Sequence, residues 1–292
     1  MIPLKTVLDV GAPALVFLSL ITVGLDLTPA DFRRLREVPG VVAVGVLAPL
    51  VVLPAIAIAL VWWFAPDPFV EAGLLLVAVS PIGGVSNAYG YLARASTALS
   101  VTLTGLSCVA AVVAIPVLTH GFAWVLGKPI RVDSPVLVLL LQVFVIVALP
   151  IGVGMALRRR WPEWAAARRA WFQRAAIVLL ALLLLTVIAA ERERVASVLW
   201  QVVSIAVVFV VLSFAAGWAS GAAVRASGSD RFTLAAEFAT RNIAIATTIA
   251  VTMLGRTEFA VFGSVYFLTE LPLMLAAVVV WRWRRDRAAR RA

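Results

Sequence analysis

Long apolar runs dominate the chain, and charged or proline-containing segments separate them. Spanning a hydrocarbon core of roughly 30 Å takes about 20 apolar residues in a helix, and most of the runs approach that length. The pattern therefore predicts an all-α membrane protein with about nine transmembrane helices. The expected helices lie near 12–28, 40–64, 71–93, 97–125, 135–157, 175–190, 196–224, 232–253 and 258–281.

Composition supports the same interpretation. Of the 292 residues, 63% are hydrophobic and 14% are charged, and the mean hydropathy is +1.05. The apolar share of a soluble domain is about 45–50%. The chain has one cysteine, Cys108, and one histidine, His120, which excludes a disulfide framework, a Cys/His metal cluster and a histidine-dependent catalytic triad. We expect one integral membrane domain over residues 1–292 and no enzymatic activity.

Basic residues predict the orientation. The net charge is +10, but the arginines gather in short segments between apolar runs, which membrane topology explains without a nucleic-acid partner. If successive loops alternate between the two sides of the membrane, the side that includes Arg33 and residues 158–174 carries 18 basic residues. The side that includes Lys5 and Lys128 carries six. The positive-inside rule then puts the C-terminus in the cytoplasm and the N-terminus outside the cytoplasmic membrane. Residues 1–28 carry only Lys5 ahead of the apolar run, which favours a mature helix over a signal peptide.

A weak internal similarity bears on the architecture. "LARASTAL" at 92–99 and "LGRTEFAV" at 254–261 share leucine, arginine and alanine at the same offsets. In the predicted topology these two segments lie on opposite sides of the membrane. Inverted repeats, in which the third and fourth helices correspond to the eighth and ninth, would produce this placement.

Two apolar segments carry polar residues that a lipid-facing helix does not tolerate. "SPIGGVSNAYGYLARAS", starting at Ser80, has Pro81, Gly83 and Gly84 just ahead of Ser86 and Asn87, so we expect this helix to break near the middle of the membrane. "EFATRNIAIA" places Glu237 and Arg241 four residues apart. A proline kink and an i,i+4 ion pair would be purely structural explanations. However, buried ionised residues in membranes mark functional sites by default, and hydroxyl, amide and carboxylate oxygens beside broken helices suit small cations such as Na⁺.

These segments resemble a known family. "PIGGVSNAYGYLARASTALSVTLT" resembles the signature of the bile acid:sodium symporter family, "VGLDLTPADFRRLREVPGVV" is similar to its first cytoplasmic loop, and "EFATRN" to its Glu-x-x-x-Gln-Asn segment. For a bacterial member, the resemblance implies a core domain with two crossed, broken helices that moves against a panel domain to give alternating access. We place core helices near 71–157 and 196–281 and panel helices near 12–64 and 135–190, with overlapping boundaries.

The resemblance also implies two sodium sites. Matched residue by residue, the first site is complete, with the ligands Ser86, Asn87, Ser100, Thr104 and Glu237. The second is not, because this chain has Arg241 and Pro49 where the family has glutamines. Glycine, which often follows the glutamate in the family, is missing from "EFATRNIAIA", so a break in the eighth helix stays open.

We therefore predict a symporter that moves a small organic anion, with membrane lipid around it. The Arg241 guanidinium would replace the second sodium as a tethered cation, so that one Na⁺ would be transported with each substrate molecule. Glu270, near the middle of the last helix, is a possible charge partner that would leave room for one monovalent cation. The other residues expected around the substrate or the tethered cation are Gly83, Gly84, Thr240 and Asn242.

Three alternatives remain. In a sodium-independent or proton-linked carrier, Glu237 or Glu270 would titrate and Arg241 would bind the substrate carboxylate. A membrane-embedded enzyme would need a histidine, a cysteine or paired aspartates, and none is suitably placed. A sensor would bind the ligand without moving it.

Overall fold

A computed structural model describes residues 4–27, 34–125 and 136–290. Within these ranges every named element is a helix, as the apolar pattern predicts. The helices are α1 (Leu4–Asp26), α2 (Arg34–Glu37), α3 (Pro39–Phe64), α4 (Pro68–Val79), α5 (Val85–Leu92), α6 (Thr97–Val125), α7 (Val136–Val143), α8 (Leu149–Arg160), α9 (Pro162–Ala190), α10 (Arg192–Ala223), α11 (Gly228–Ala239), α12 (Ile243–Thr248) and α13 (Ala260–Ala289). A π-helical segment, Phe144–Ala148, joins α7 to α8, and another, Ile249–Met253, extends α12.

The described helices make this a multi-pass membrane protein. Six of them are long and apolar enough to cross a membrane: Pro39–Phe64, Thr97–Leu118, Leu140–Arg160, Pro162–Ala190, Arg192–Ala223 and Thr257–Arg287. Three shorter apolar helices are Val10–Asp26, Pro68–Val79 and Ile243–Met253. These nine segments fall on the nine predicted helices, while length and composition identify six of them as spans.

Helix α9 begins earlier than predicted. The apolar run placed its start near residue 175 and left the arginine-rich segment before it as a loop, whereas only Trp161 separates α8 from α9. Pro162 occupies the first turn, where its missing N–H costs no hydrogen bond. The alanines and arginines that follow are strong helix formers, so the helix continues beyond its apolar part.

The predicted break in the third apolar segment is confirmed. Helix α4 ends at Val79, and α5 begins at Val85. Ser80 has extended backbone angles, with φ −62° and ψ 148°. Pro81 explains them, because a proline pushes the preceding residue out of the helical region and has no N–H to continue the ladder.

The eighth apolar segment is also interrupted, although no glycine follows its glutamate. Helix α11 ends at Ala239, Thr240 is extended with φ −108° and ψ 110°, and α12 begins at Ile243. The side-chain oxygen of Asn242 accepts a hydrogen bond from the Ile245 N–H at 3.2 Å and so caps α12. Because Thr240 and Asn242 both have negative φ angles, this break does not require glycine.

The two interruptions lie side by side and form an isolated antiparallel bridge. The Gly83 N–H donates to the Thr240 carbonyl at 3.1 Å, and the Asn242 N–H donates to the Pro81 carbonyl at 2.8 Å. Each interruption thus satisfies backbone groups of the other, which is what hydrocarbon surroundings require of non-helical backbone.

The remaining helices pack in two directions from this junction. Helix α1 packs against α8 and α9, and a Cβ added at Gly24 or Gly154 would overlap the main chain of the facing helix. Small residues permit such close approach between membrane helices. Helix α3 packs against α4, α6, α10 and α11. It therefore lies with the interrupted helices.

Candidate functional site

The centre of the site is the carboxylate of Glu237, which is fully buried in α11. Its Oε2 accepts hydrogen bonds from Ser86 at 3.0 Å and from Thr104 at 3.4 Å, and its Oε1 accepts one from Ser100. The Ser100 hydroxyl also lies 2.7 Å from Oδ1 of Asn87. All five residues predicted as sodium ligands therefore meet in one cluster.

Three helices bring these side chains together. Ser86 and Asn87 lie in the first turn of α5, directly after the first interruption. Ser100 and Thr104 are one turn apart on α6 and so share a face. Glu237 lies in the last turn of α11, directly before the second interruption. The cluster thus connects the two broken helices.

The hydrogen-bond inventory of this cluster is unbalanced. Ser100 has one hydroxyl proton but two acceptors, Oε1 of Glu237 and Oδ1 of Asn87. That proton can serve only one of the two acceptors at a time, and the buried carboxylate forms no ion pair with any residue that the structure describes. A small cation would satisfy both needs. The donors are all hard oxygens, and the described residues include no group of three His, Cys, Asp or Glu side chains for a transition metal.

Arg241 lies in the second interruption and is 4% exposed. Its Nη2 donates to the Ser80 carbonyl at the C-terminal end of α4, while its Nε and Nη1 are buried without a hydrogen-bond partner. It forms no ion pair with a described carboxylate, so the i,i+4 pair with Glu237 is not made. The physical reason is the break itself, because helical spacing does not extend past Ala239.

Glu270, in α13, is 1% exposed and forms a second buried carboxylate site. Its Oε1 accepts from the Thr240 hydroxyl at 2.9 Å, and its Oε2 accepts from the Tyr89 hydroxyl at 3.4 Å. It makes no ion pair with Arg241 in the described chain, so the two are not direct charge partners. Sequence reasoning missed Tyr89, since a tyrosine in an apolar helix gives no signal of its own. Pro49 is buried in α3 and offers no side-chain oxygen.

A cavity of about 450 Å³ opens beside the two interruptions. From the predicted residues it is lined by Gly83, Gly84, Asn87, Arg241 and Asn242. Helices α1 and α9 supply polar residues that the sequence reasoning missed, among them Asp26, Arg169 and Gln173. Of these lining residues, only Asp26 had a signal in the sequence, since it is a charged residue at the end of an apolar run. The arginines of 158–174 indicated the topology and gave no sign of a cavity.

The model of the sodium bile acid symporter family matches residues 13–198. This chain belongs to that family. The matched range includes the four cluster residues on α5 and α6 and ends before α11, which carries Glu237. The members of this family are transporters and not enzymes.

Individual relatives agree with the family. The chain is 34% identical over 156 residues to a probable chloroplastic sodium/metabolite cotransporter, BASS2, of Oryza sativa subsp. japonica. The matched region covers 53% of this chain and 36% of the rice protein. It is 36% identical over 110 residues to the uncharacterized sodium-dependent transporter YocS of Bacillus subtilis (strain 168), covering 37% of this chain and 34% of that protein. The match to a sodium-dependent organic anion transporter of Rattus norvegicus is 26% identical over 164 residues and covers 56% of this chain and 44% of the rat protein. Each match spans less than half of the relative's length.

Proposed function

We propose that this protein is a secondary transporter that moves a small organic anion together with Na⁺ by alternating access. The observation that carries the proposal is the cluster of five oxygen-bearing side chains around Glu237, beside two interrupted helices. Interrupted helices hold ions and solutes in many transporters, because their ends present unpaired backbone groups to a cavity. The family and the sodium-dependent relatives support the same activity.

Na⁺ would bind among the hydroxyl oxygens of Ser86, Ser100 and Thr104, the amide oxygen of Asn87 and the carboxylate of Glu237. Since these ligands come from α5, α6 and α11, a bound ion would hold the two broken helices together. Asn87 also lines the cavity, so the ion and the solute would share one wall. Binding of the ion would then favour the cavity shape that the solute requires, which is the basis of coupling.

One Na⁺ is the stoichiometry that the charges support. The guanidinium of Arg241 contacts the Ser80 carbonyl, the kind of helix-terminal oxygen that attracts a cation. Arg241 would therefore act as a tethered cation in place of a second ion, and Pro49 supplies no further ligand. Gly83, Gly84 and Asn242 would shape the cavity wall next to it.

The architecture would consist of two bodies and an inverted repeat. Helices α1, α7, α8 and α9 would form the panel, and α3–α6 with α10–α13 the core. The helices α4 and α11 have 12 residues each, and both precede an interruption, a short helix and a long helix. A left-handed residue lies between the short and the long helix in both halves, Arg94 with φ 51° and Gly255 with φ 62°. This parallel supports the repeat that the segments 92–99 and 254–261 suggest.

The proposed location is the cytoplasmic membrane, with the C-terminus in the cytoplasm and the N-terminus outside. The arginines of 158–174 and of the tail carry this orientation. Lys5 and Lys128, which were counted on the other side, lie outside the residues whose side chains are described.

A proton-linked carrier is the second candidate, and Glu270 is the observation that favours it. This carboxylate is buried and has two hydroxyl donors, Thr240 and Tyr89, but no cationic partner in the described chain. Burying such a group is costly in its ionised form, and a proton would neutralise it. Arg241, which lines the cavity and has two unpaired nitrogens, would then meet the substrate carboxylate.

Two matched variants separate these candidates. The melting temperature of the purified protein should rise with NaCl relative to choline chloride at equal ionic strength. Glu237→Gln, which keeps the shape and removes the charge, should abolish that rise, while Glu270→Gln should retain it. A wild-type protein that does not respond to Na⁺, combined with uptake that follows a pH gradient and is lost in Glu270→Gln, would establish the proton-linked candidate instead.

A further inference from the structure

The cavity has a second group of polar lining residues, which come from α1 and α9. Ser19, Thr22 and Asp26 reach it from α1, and Arg169 and Gln173 reach it from α9. The other lining residues of these two helices are apolar, with Leu15, Val23, Ile177 and Leu180 among them. A solute in this cavity would thus meet a polar patch next to an apolar surface, which suits an amphipathic molecule.

Arg169 is the charged centre of this patch. Its Nε donates to Oδ1 of Asp26, and 51% of the arginine side chain is exposed, against 11% of the aspartate. No described residue accepts a hydrogen bond from its two Nη groups, and these form the outer edge of the guanidinium. The neighbouring Arg158 donates to the Leu25 carbonyl, so two arginines fix the C-terminal end of α1. Asp26 therefore orients Arg169 and leaves one edge of the fork accessible.

The second arginine of the cavity is different. Two of the guanidinium nitrogens of Arg241 are buried, and the third contacts the Ser80 carbonyl. A solute that enters the cavity as the structure shows it would reach the guanidinium of Arg169 without any rearrangement. Planar guanidinium edges match carboxylates in a bidentate fashion, which a lysine ammonium cannot reproduce.

We infer that Arg169 is the specificity-determining anchor for the solute's carboxylate, held in position by Asp26. The inference rests on the proposed transport function and names one residue that would bind its substrate; the apolar part of the solute would then lie along α1 and α9. Gln173 is placed for a further hydrogen bond to a polar group of the solute, and the Thr22 hydroxyl, which already donates to the Leu18 carbonyl at 3.0 Å, could accept one. Because Asp26 already pairs with Arg169, it also limits how strongly the anion is held.

The test measures the binding of defined carboxylates to the purified full-length protein in NaCl. The probes are 2-naphthoate, cholate and 4-phenylbutyrate, each compared with its neutral primary amide, which has the same apolar body. Wild-type protein should bind at least one carboxylate more tightly than its amide. Arg169→Gln should weaken that binding by roughly tenfold to a hundredfold, as expected for hydrogen bonds to a charged group. Arg169→Lys should lose less, because it keeps the charge without the fork.

Two controls make the result specific. Arg168→Gln removes an exposed arginine from the next position of the same helix and should change nothing. Asp26→Asn removes the negative charge that competes for the guanidinium but keeps an amide oxygen that can accept the hydrogen bond from Nε of Arg169, so it should leave carboxylate binding unchanged or tighter. If both pair variants weaken binding equally, Arg169 only ties α1 to α9, and the inference is wrong. It is equally wrong if no carboxylate binds better than its amide.

The sodium response separates this inference from the proposed function. Arg169→Gln should keep the Na⁺-dependent rise in melting temperature, because Arg169 bonds to Asp26 and Glu237 accepts only from Ser86, Ser100 and Thr104 among the described residues. Loss of that rise in wild-type protein, with Arg169-dependent carboxylate binding intact, would overturn sodium coupling and leave the anion anchor standing.

Discussion

The junction of the two interruptions depends on Gly83, and the substitution Gly83→Ala tests it. A Cβ at this position would lie 2.7 Å from the Arg241 carbonyl oxygen and 3.0 Å from the carbonyl carbon. Ordinary contact begins at 3.4 Å, so the two backbones would have to separate by about 0.7 Å. Main-chain atoms cannot rotate away as a side chain would. The added methyl group must therefore push the interruptions apart.

The expected cost has two parts. Overpacking a tight contact costs about 1–3 kcal/mol. Separating the two interruptions also weakens the hydrogen bonds from the Gly83 N–H to the Thr240 carbonyl and from the Asn242 N–H to the Pro81 carbonyl. Leaving one of these buried groups unpaired costs about 1–3 kcal/mol. Together these give about 2–6 kcal/mol, which at roughly 2 °C per kcal/mol for a chain of this size corresponds to a drop in melting temperature of roughly 4–12 °C.

The matched control is the next residue. A Cβ at Gly84 would have no heavy atom within 4 Å, so Gly84→Ala should melt within a few degrees of the wild type. Both variants are measured by thermal unfolding of purified protein, with and without NaCl. Gly83→Ala should lose stability and most of its Na⁺ response, because the proposed ligands come from both broken helices. If it melted like Gly84→Ala and responded normally to Na⁺, the described contact between the interruptions would be wrong.

Two further predictions concern ion number and orientation. If Arg241 replaces a second cation, wild-type uptake should show a Hill coefficient for Na⁺ close to one. The double variant Arg241→Gln with Pro49→Gln should have a higher Hill coefficient. A wild-type uptake curve that is steeply sigmoidal in Na⁺ would contradict the tethered cation. In a Cys108→Ser background, a cysteine replacing Arg159 should be protected from a membrane-impermeant maleimide in intact cells, while one replacing the exposed Asp67 should react, and the reverse pattern would invert the orientation.

Sequence reasoning succeeded where the signal was local. The break after α4 followed from Pro81. The oxygen cluster joins residues up to 151 positions apart and is the exception, since it was predicted from the resemblance to a family and not from a local signal. The start of α9 failed because apolar length defines where a helix crosses lipid, not where it begins. The break after α11 could not be predicted from the sequence, because an asparagine cap begins the helix that follows it and asparagine also occurs in unbroken segments.

Tertiary pairing explains what was missed entirely. The contact between Arg169 and Asp26 joins residues 143 positions apart, and the bond from Tyr89 to Glu270 joins residues 181 apart. No spacing rule connects such pairs. Only the packing of α1 on α9, and of α13 on the interrupted helices, places them within reach.

The interruption after Ala239 gives the charges of the site their separate roles. In a continuous helix, Glu237 and Arg241 would be four residues apart on one face and would neutralise each other. A carboxylate paired in this way would have little affinity left for Na⁺. Because the helix ends before Arg241, the guanidinium turns to the Ser80 carbonyl, and Glu237 keeps only hydroxyl donors. The same break presents Thr240 to Glu270. The arginine that departs from the family pattern is therefore compatible with the proposed sodium cluster, since the break prevents an ion pair between Arg241 and the carboxylate that a bound Na⁺ would need.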